Sequence, residues 1–108
     1  MSQTQIFAQT PKPPYYAVIF TSLRTGQEKG YEEMALRMLE LAQKQDGFLG
    51  IESAQEEIGI TVSYWRDLAS IANWKSNSEH QLAQKKGKSD WYASFQVRIA
   101  LVERAYHF

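Results

Sequence analysis

Four segments of the chain carry apolar side chains in the pattern of β-strands. The first, YYAVIFTSLR from Tyr15, is apolar at both odd and even positions. Because successive side chains of a strand point to opposite faces, both faces of this strand need cover. Two shorter strands, GFLGIESAQ and GITVSYW, are separated by a charged turn and are predicted to pair as a hairpin. From Phe95 to the terminus, FQVRIALVERAYHF predicts a long final strand, central in its sheet or at an interface.

Apolar positions at helical spacing lie between the first strand and the hairpin. Thr25 and Glu28 form a candidate capping box, which would open a helix running to about Lys44. Gly47 would then stop the helical region by adopting a left-handed backbone conformation. The sequence therefore predicts one long helix between the first two strands.

A second helical region follows the hairpin. Asp67 is a candidate N-cap for a short helix, LASIANWK. Ser78 and Gln81 form a second candidate capping box, which would start another helix. We therefore predict two short helices separated by a break at Ser76–Asn77.

The order of these elements predicts an α+β domain of ferredoxin-like β-α-β-β-α-β topology, an antiparallel sheet with helices on one face. Residues 1–14 end in three prolines and are expected to form an extended N-terminal arm before the domain at residues 15–108. The strands offer apolar side chains to both faces, and the chain has no further element for a second layer. We therefore expect a second copy to cover the open face, giving a homodimer with sheets face to face.

Composition narrows the classes of partner. The 108 residues include 12 Lys plus Arg and 12 Asp plus Glu, so the formal net charge is zero. No overall electrostatic field attracts the protein to nucleic acid or to an anionic membrane. The run KKGK at Lys85–Lys88 is interpreted as a solvated helix end.

No stretch approaches the roughly 18 apolar residues of a membrane helix, and the N-terminus has no basic, apolar leader, so we expect a cytoplasmic protein. The chain has no cysteine and only two histidines, which lie far apart, so no metal site is expected.

Five stretches of sequence carry a family resemblance. They are YYAVIFTS, DGFLGIES, ITVSYW, ASIANWKSNSEH and VRIALVERAY. In the predicted order of elements, they resemble the antibiotic biosynthesis monooxygenase family of dimeric α/β barrels, from about Tyr15 to Phe108. The resemblance implies a small dimer with a pocket between sheet and helices in each subunit. In some relatives such a pocket supports the oxidation of aromatic molecules by oxygen without metal or flavin.

The resemblance implies a cofactor-independent monooxygenase acting on a small aromatic or enolisable molecule in an apolar pocket, and no cofactor is expected. A non-catalytic ligand-binding or dimerisation domain of the same fold is the alternative. Haem degradation, which occurs elsewhere in this fold, is disfavoured. That branch has an asparagine where this chain has Phe20 and Thr21, and an axial histidine ten residues after its tryptophan, where Gln84 follows Trp74.

Oxygen reacts slowly with closed-shell molecules, so oxygenation without a cofactor needs a base, an anion stabiliser and a dry aromatic cage. His80 is the candidate base, because a helix start would keep its imidazole neutral, and Arg98 is the candidate anion stabiliser. The candidate substrate-binding residues, which could wall the pocket or donate hydrogen bonds, are Trp65, Trp74, Ser22, Ser63 and Tyr64. The alternative interpretations are tryptophans that only pack in the core, a surface histidine and an arginine paired with a glutamate.

Overall fold

Four antiparallel strands and two helices make up the protein in a computed structural model, which describes residues 7–84 and 91–108 without the side chains of residues 80–84. In chain order the elements are β1 (Tyr15–Arg24), α1 (Tyr31–Gln43), β2 (Phe48–Gln55), β3 (Gly59–Trp65), α2 (Leu68–Gln84) and β4 (Tyr92–Val102). The strands lie in the spatial order β2-β3-β1-β4. This arrangement confirms the predicted ferredoxin-like α+β fold. No helix in the described part of the chain is long and apolar enough to cross a membrane.

The register of the sheet decides which side chains meet the helices. Ser63 of β3 lies opposite Val18 of β1 on one side and opposite Ile51 of β2 on the other. Trp65, two residues further along β3, stacks on Trp74 of α2. Residues two apart in a strand share a face, so these positions belong to the helix-covered face. The predicted hairpin of β2 and β3 is confirmed by their continuous antiparallel pairing.

The start of α1 differs from the prediction. The helix begins at Tyr31, after Gly30 in a left-handed conformation with φ of 81°, and no side chain caps it. The hydroxyl of Thr25 instead accepts a hydrogen bond from the backbone N–H of Gln27 at 3.1 Å, so it serves a local turn. The other end agrees with the prediction, since Lys44 is the C-cap and Gly47 has a φ of 87°.

The second helical region is one helix. Asp67 caps it as predicted, because its Oδ1 accepts from the backbone N–H of Ser70 at 2.8 Å and from the Ser70 hydroxyl at 2.7 Å. The predicted break at Ser76–Asn77 and the second capping box are wrong. The Ser78 hydroxyl donates to the Lys75 carbonyl at 3.1 Å, so it bonds back along its own helix, as a serine inside a helix can do.

The final strand is shorter and less central than predicted. β4 ends at Val102 and pairs only with β1, so it is an edge strand. Its register with β1 places a row of apolar side chains on the same face as Val18 and the helices. This row is only partly covered within one chain, with exposed fractions between 37% and 53%; its members are Phe95, Val97, Ile99 and Leu101.

The N-terminal arm lies against the face of the sheet opposite the helices. The Ala8 N–H donates to Oε2 of Glu52 at 3.0 Å, and the hydroxyls of Thr10 and Tyr15 are 2.9 Å apart. A Cβ on Gly50 would come within 2.7 Å of Ala8, which shows how closely the arm approaches β2. The expectation that only a second copy covers this face therefore needs correction, because part of its cover comes from residues 7–14 of the same chain.

We predict that Asp67→Ala lowers the melting temperature, whereas Asp67→Asn retains most of it, because asparagine also caps helices well. Hydrogen bonds from Ser70 and the Arg66 charge hold the pKa of Asp67 below its usual 3.8. A depressed pKa stabilises the fold above the unfolded value and loses that contribution as the pH falls through the folded value. Thermal melts between neutral pH and about pH 3 measure both effects. An equal loss in both variants would contradict the capping role.

Candidate functional site

The space between the helices and the sheet contains a cavity of about 450 Å³. Its floor is the helix-covered face of β1, β2 and β3, and its roof is formed by α1 with part of α2. A cavity of this volume matches the size of small-molecule sites, which are mostly apolar with a few placed polar groups. The main apolar side chains of its wall are Val18, Phe20, Met34, Met38, Ile51 and Trp74.

One end of the cavity, termed the tryptophan end, is formed by Trp74 and Ser63 with Trp65 behind them. Trp65 is fully buried and stacks on Trp74, with ring centroids 5.8 Å apart and planes at 25°. Phe48 meets the Trp65 ring edge-on at 5.4 Å. The indole N–H of Trp65 donates to Oγ of Ser63 at 2.9 Å. Contacts on several sides therefore fix the Trp65 indole and the Ser63 hydroxyl together.

The opposite end, termed the tyrosine end, is formed by Tyr31, Trp91 and Tyr92. The guanidinium of Arg24 lies 3.2 Å from the centre of the Tyr31 ring and forms an ion pair with Glu28 at 3.3 Å. The Trp91 indole donates to the Lys29 carbonyl at 2.9 Å and meets Tyr31 edge-on. These contacts join the end of β1, the start of α1 and the start of β4.

Tyr92 is the ionisable side chain most affected by this setting. Burial raises the pKa of the Tyr92 phenol well above its usual value of 10, and the hydrogen bond with Tyr31 raises it further. Both causes favour the neutral phenol over the phenolate. At neutral pH Tyr92 is therefore a neutral phenol, and its hydroxyl can form a hydrogen bond with a ligand.

Several residues predicted for the site lie at the cavity. Trp74 and Ser22 line it, at its two ends, and Ser63 lies on its floor. Trp65 does not line it, but supports Trp74 and Ser63 from behind. The structure therefore brings Trp65, Trp74 and Ser63 together at the tryptophan end.

Tyr64 and Arg98 do not point into the cavity. Tyr64 alternates with Ser63 and Trp65 along β3, and so lies on the opposite face, where its hydroxyl donates to Glu52 at 2.7 Å. Burial, followed by this bond, raises the pKa of Tyr64 to about 12. Arg98 pairs with Ile19 across the sheet, is exposed and donates to Gln96 at 3.0 Å. The predicted roles of both residues inside the pocket need correction for this geometric reason.

The argument for His80 as a base depended on a helix start that does not exist. Position 80 lies in the second half of the continuous α2, where the N-terminal dipole has no effect. The His80 side chain itself lies outside the described residues, as does the KKGK run at Lys85–Lys88.

Sequence reasoning missed the tyrosine end and part of the floor. In the sequence Tyr31 is only one of the apolar positions at helical spacing in the first helical region, and Tyr92 falls in none of the predicted elements. The floor hydroxyl of Thr61 was also missed, although Thr61 shares a face with Ser63 by strand alternation. Counting back by twos from Trp65 would have found Thr61. The tyrosine end depends on the pairing of β4 with β1, which no local pattern reveals.

The described residues contain no group of three or more histidine, aspartate or glutamate side chains that could hold a metal ion. A network of ion pairs among exposed side chains lies outside the cavity. Arg66 binds Asp46 through two hydrogen bonds of 3.0 and 3.2 Å and also contacts Asp67. The Arg66 charge lowers the pKa of Asp46. This exposed network ties the turn before β2 to the start of α2, away from the cavity.

The sheet and helices define a ferredoxin-like α+β domain with a mainly apolar cavity between its two layers. The sequence profile of the family described as antibiotic biosynthesis monooxygenase matches residues 14–86. The chain therefore belongs to the antibiotic biosynthesis monooxygenase family.

Two related proteins differ greatly in the extent of their match. The uncharacterized protein YqjZ of Bacillus subtilis is 52% identical over 99 residues, which cover 90% of this chain and 87% of that protein. The jasmonate monooxygenase ABM of Pyricularia oryzae is 30% identical over 43 residues, which cover 40% of this chain and 20% of that protein. The second similarity is therefore confined to part of the domain.

Solved structures with the same fold include SnoaB, a cofactor-independent oxygenase from Streptomyces nogalater. Its TM-score is 0.64 at 11% identity, with 88% of this chain and 97% of that chain covered. PA3566 from Pseudomonas aeruginosa has a TM-score of 0.65 at 18% identity, with 89% and 99% covered. At such identities the likeness establishes the fold alone.

We predict that Tyr92→Phe removes a phenolate transition that lies above the usual tyrosine range in the folded protein. A raised pKa stabilises the fold below the unfolded value of about 10, and this contribution is lost as the pH rises through the folded value. The variant should therefore show a weaker decline of stability at alkaline pH. Phenolate absorbance and thermal melts across that range measure both effects. Tyr106→Phe, which alters a side chain 92% exposed, is the control and should leave the late transition in place.

Proposed function

We propose that the protein is a cofactor-independent monooxygenase that oxidises a small aromatic or enolisable molecule in the cavity between sheet and helices. Family membership supports the reaction class. The observation that carries the proposal for this chain is the partly open, aromatic-walled cavity of about 450 Å³ between the sheet and the helices. Such a cavity can hold a flat molecule of a few fused rings and keep water from it.

The proposed reaction converts an activated methylene of the substrate to a carbonyl. The substrate first loses a proton from carbon and becomes an electron-rich carbanion or enolate, which can give electrons to oxygen. One oxygen atom then enters the substrate and the other leaves as water with the two methylene hydrogens, so the four electrons that reduce O₂ come from that carbon. The protein supplies orientation, hydrogen-bond donors for the developing charge and a dry site.

Side chains of the cavity can contribute in different ways. Trp74 offers a flat surface on which an aromatic ring can stack. Ser63 and Tyr92 offer hydroxyl donors at opposite ends. The proposed work of these residues is therefore to bind the substrate, orient it and stabilise the negative charge that follows loss of its proton.

A non-catalytic ligand-binding domain is the second candidate, and a specific observation favours it. Among the described residues that line the cavity, the ionisable side chains are Glu32, Glu52, Tyr31 and Tyr92. Tyr92 stays protonated at neutral pH because its pKa is raised, and Glu52 is already occupied by Tyr64 and Ala8. Glu32 lies on an exposed position at the start of α1. No described group in the buried part of the cavity is therefore placed as an evident base, so an enzyme of this kind would depend on a substrate that ionises readily.

We further propose that the chain acts as a homodimer, which the family resemblance implies. The partly exposed apolar row of β4 supports this, because contiguous apolar surface of this kind marks interaction sites. The row lies on an edge strand, where a second copy can also approach unpaired backbone groups.

Oxygen uptake with a panel of anthrones, hydroquinones and hemin tests the enzymatic proposal. We predict uptake with an aromatic or enolisable compound, and a loss of more than about ten-fold in Ala35→Trp, because the added indole fills the cavity. Ala35 lines the cavity from an exposed position of α1, so the substitution need not disturb the core. Ala72→Trp, on an exposed position of α2 outside the cavity, is the matched control. Ligand binding without uptake across the panel would favour the second candidate.

The homodimer is tested separately by the mass of the protein in solution. We predict that Ile99→Lys shifts the population toward single chains, because it places a charge in the apolar row of β4. Ile58→Lys is the control, since Ile58 is similarly exposed at 50% but lies in the hairpin turn. A wild-type protein that remains a single chain at all concentrations would contradict the proposal.

A further inference from the structure

Ser63 has an unusual position among the polar groups of the cavity. It is buried, with 7% of its surface exposed, and its cross-strand neighbours are the apolar Val18 and Ile51. The other floor hydroxyls, those of Ser22, Ser53 and Thr61, lie further along the sheet toward the tyrosine end. Ser63 is therefore the polar floor group closest to the tryptophan wall.

The hydrogen bond from Trp65 determines the orientation of the Ser63 hydroxyl. An indole N–H can only donate, so Oγ of Ser63 must be the acceptor in the 2.9 Å bond. Within residues 7–84 and 91–108, no acceptor is recorded for the hydroxyl proton of Ser63. Since Ser63 lines the cavity, its O–H is available to donate to a ligand there.

The surroundings strengthen this donor. A hydroxyl that accepts one hydrogen bond becomes a better donor in the next, and a low local dielectric increases the effect. Trp65 cannot move away easily, because it is fully buried between Phe48 and Trp74. The donor is therefore preorganised before any ligand arrives.

The charge of the cavity limits what the donor can bind. No lysine or arginine is found among the described lining residues, and Glu32 lies at the exposed rim of the wall. A carboxylate ligand would have to lose its hydration without meeting a cation, which is costly. An uncharged carbonyl oxygen needs only a hydrogen-bond donor, and Ser63 supplies one.

We propose that Ser63 binds the carbonyl oxygen of a neutral, flat ketone or quinone at the tryptophan end, so that the cavity selects such ligands over carboxylates. This inference rests on the proposed function, because it assigns a substrate class to the same cavity. Trp74 would stack on the rings while Ser63 holds the oxygen, and the phenols of Tyr31 and Tyr92 would meet polar groups at the far edge. A carbonyl polarised in this way also has more acidic neighbouring C–H bonds, which suits a site without an evident base.

Binding of three matched compounds tests the proposal without any turnover. The probes are fluorenone, a flat neutral ketone; fluorene, which lacks the carbonyl; and fluorene-9-carboxylate. We expect the wild-type protein to bind fluorenone about ten-fold more tightly than fluorene, as one buried hydrogen bond allows, and to bind the carboxylate most weakly. The infrared carbonyl band of bound fluorenone should lie at lower frequency than in an apolar solvent.

Variants then identify the donor. Ser63→Ala should abolish the preference for fluorenone over fluorene and return the carbonyl band toward its apolar-solvent position, whereas Ser63→Thr keeps the hydroxyl and should keep both properties. Ser94→Ala, on an exposed position of β4 outside the cavity, is the matched control and should behave as wild type. Equal binding of fluorenone and fluorene by the wild type, unchanged selectivity in Ser63→Ala, or preferred binding of the carboxylate would each overturn the proposal. Absence of oxygen uptake would contradict only the enzymatic function, because these readouts require no reaction.

Discussion

The burial of the Trp65 indole is the constraint on which the site depends. A buried indole N–H needs an acceptor, and leaving such a donor unsatisfied costs about 1–3 kcal/mol. Ser63 meets this need from the same face of the same strand, and Trp74 of α2 covers the ring. One set of contacts therefore attaches α2 to the sheet, supports the aromatic wall and orients a hydroxyl at the cavity floor.

The two ends of the cavity differ in chemistry because different elements build them. The tryptophan end combines ring surfaces with one oriented hydroxyl, since it lies between β3 and α2. The tyrosine end joins three elements through phenol groups and the Arg24 contact with Tyr31. A ligand would therefore meet an apolar, stacking environment at one end and neutral hydrogen-bond donors at the other. This division favours an uncharged aromatic molecule with oxygen substituents at its edges.

The face of the sheet opposite the helices has a different role. Glu52 accepts hydrogen bonds from Tyr64 and from the backbone of Ala8, so this carboxylate attaches the N-terminal arm to the hairpin. Tyr15 and Ala17 are buried on this face, at 4% and 5% exposure. The apolar row of β4 instead lies on the helix-covered face, beyond the reach of α1 and α2. Among the described residues, apolar surface is therefore left uncovered along β4, and also at Leu23 and Ile60 on the opposite face, which are 46% and 43% exposed.

Local patterns determined much of the fold. The apolar run of β1, the pairing of β2 with β3 and the cap at Asp67 all involve residues close in sequence, so their physical causes are visible there. The start of α1 and the continuity of α2 were less visible, because Thr25 and Ser78 have capping chemistry but use their hydroxyls in local bonds. A capping residue identifies a helix start only when the neighbouring backbone also leaves the helical conformation.

By itself, the sequence determined the order of elements, the family and the two tryptophans of the site, because periodicity and short motifs encode them. Only the tertiary structure decided which face of β3 packs against the helices. That choice places Ser63 at the cavity and Tyr64 on the opposite face, where its hydroxyl bonds to Glu52 beside the N-terminal arm. The tertiary structure also brought Tyr92 to Tyr31 and left Arg98 exposed. The physical reason is that alternation along a strand assigns its side chains to two faces, but it does not determine which layer packs against which face. That choice depends on packing between residues far apart in the chain.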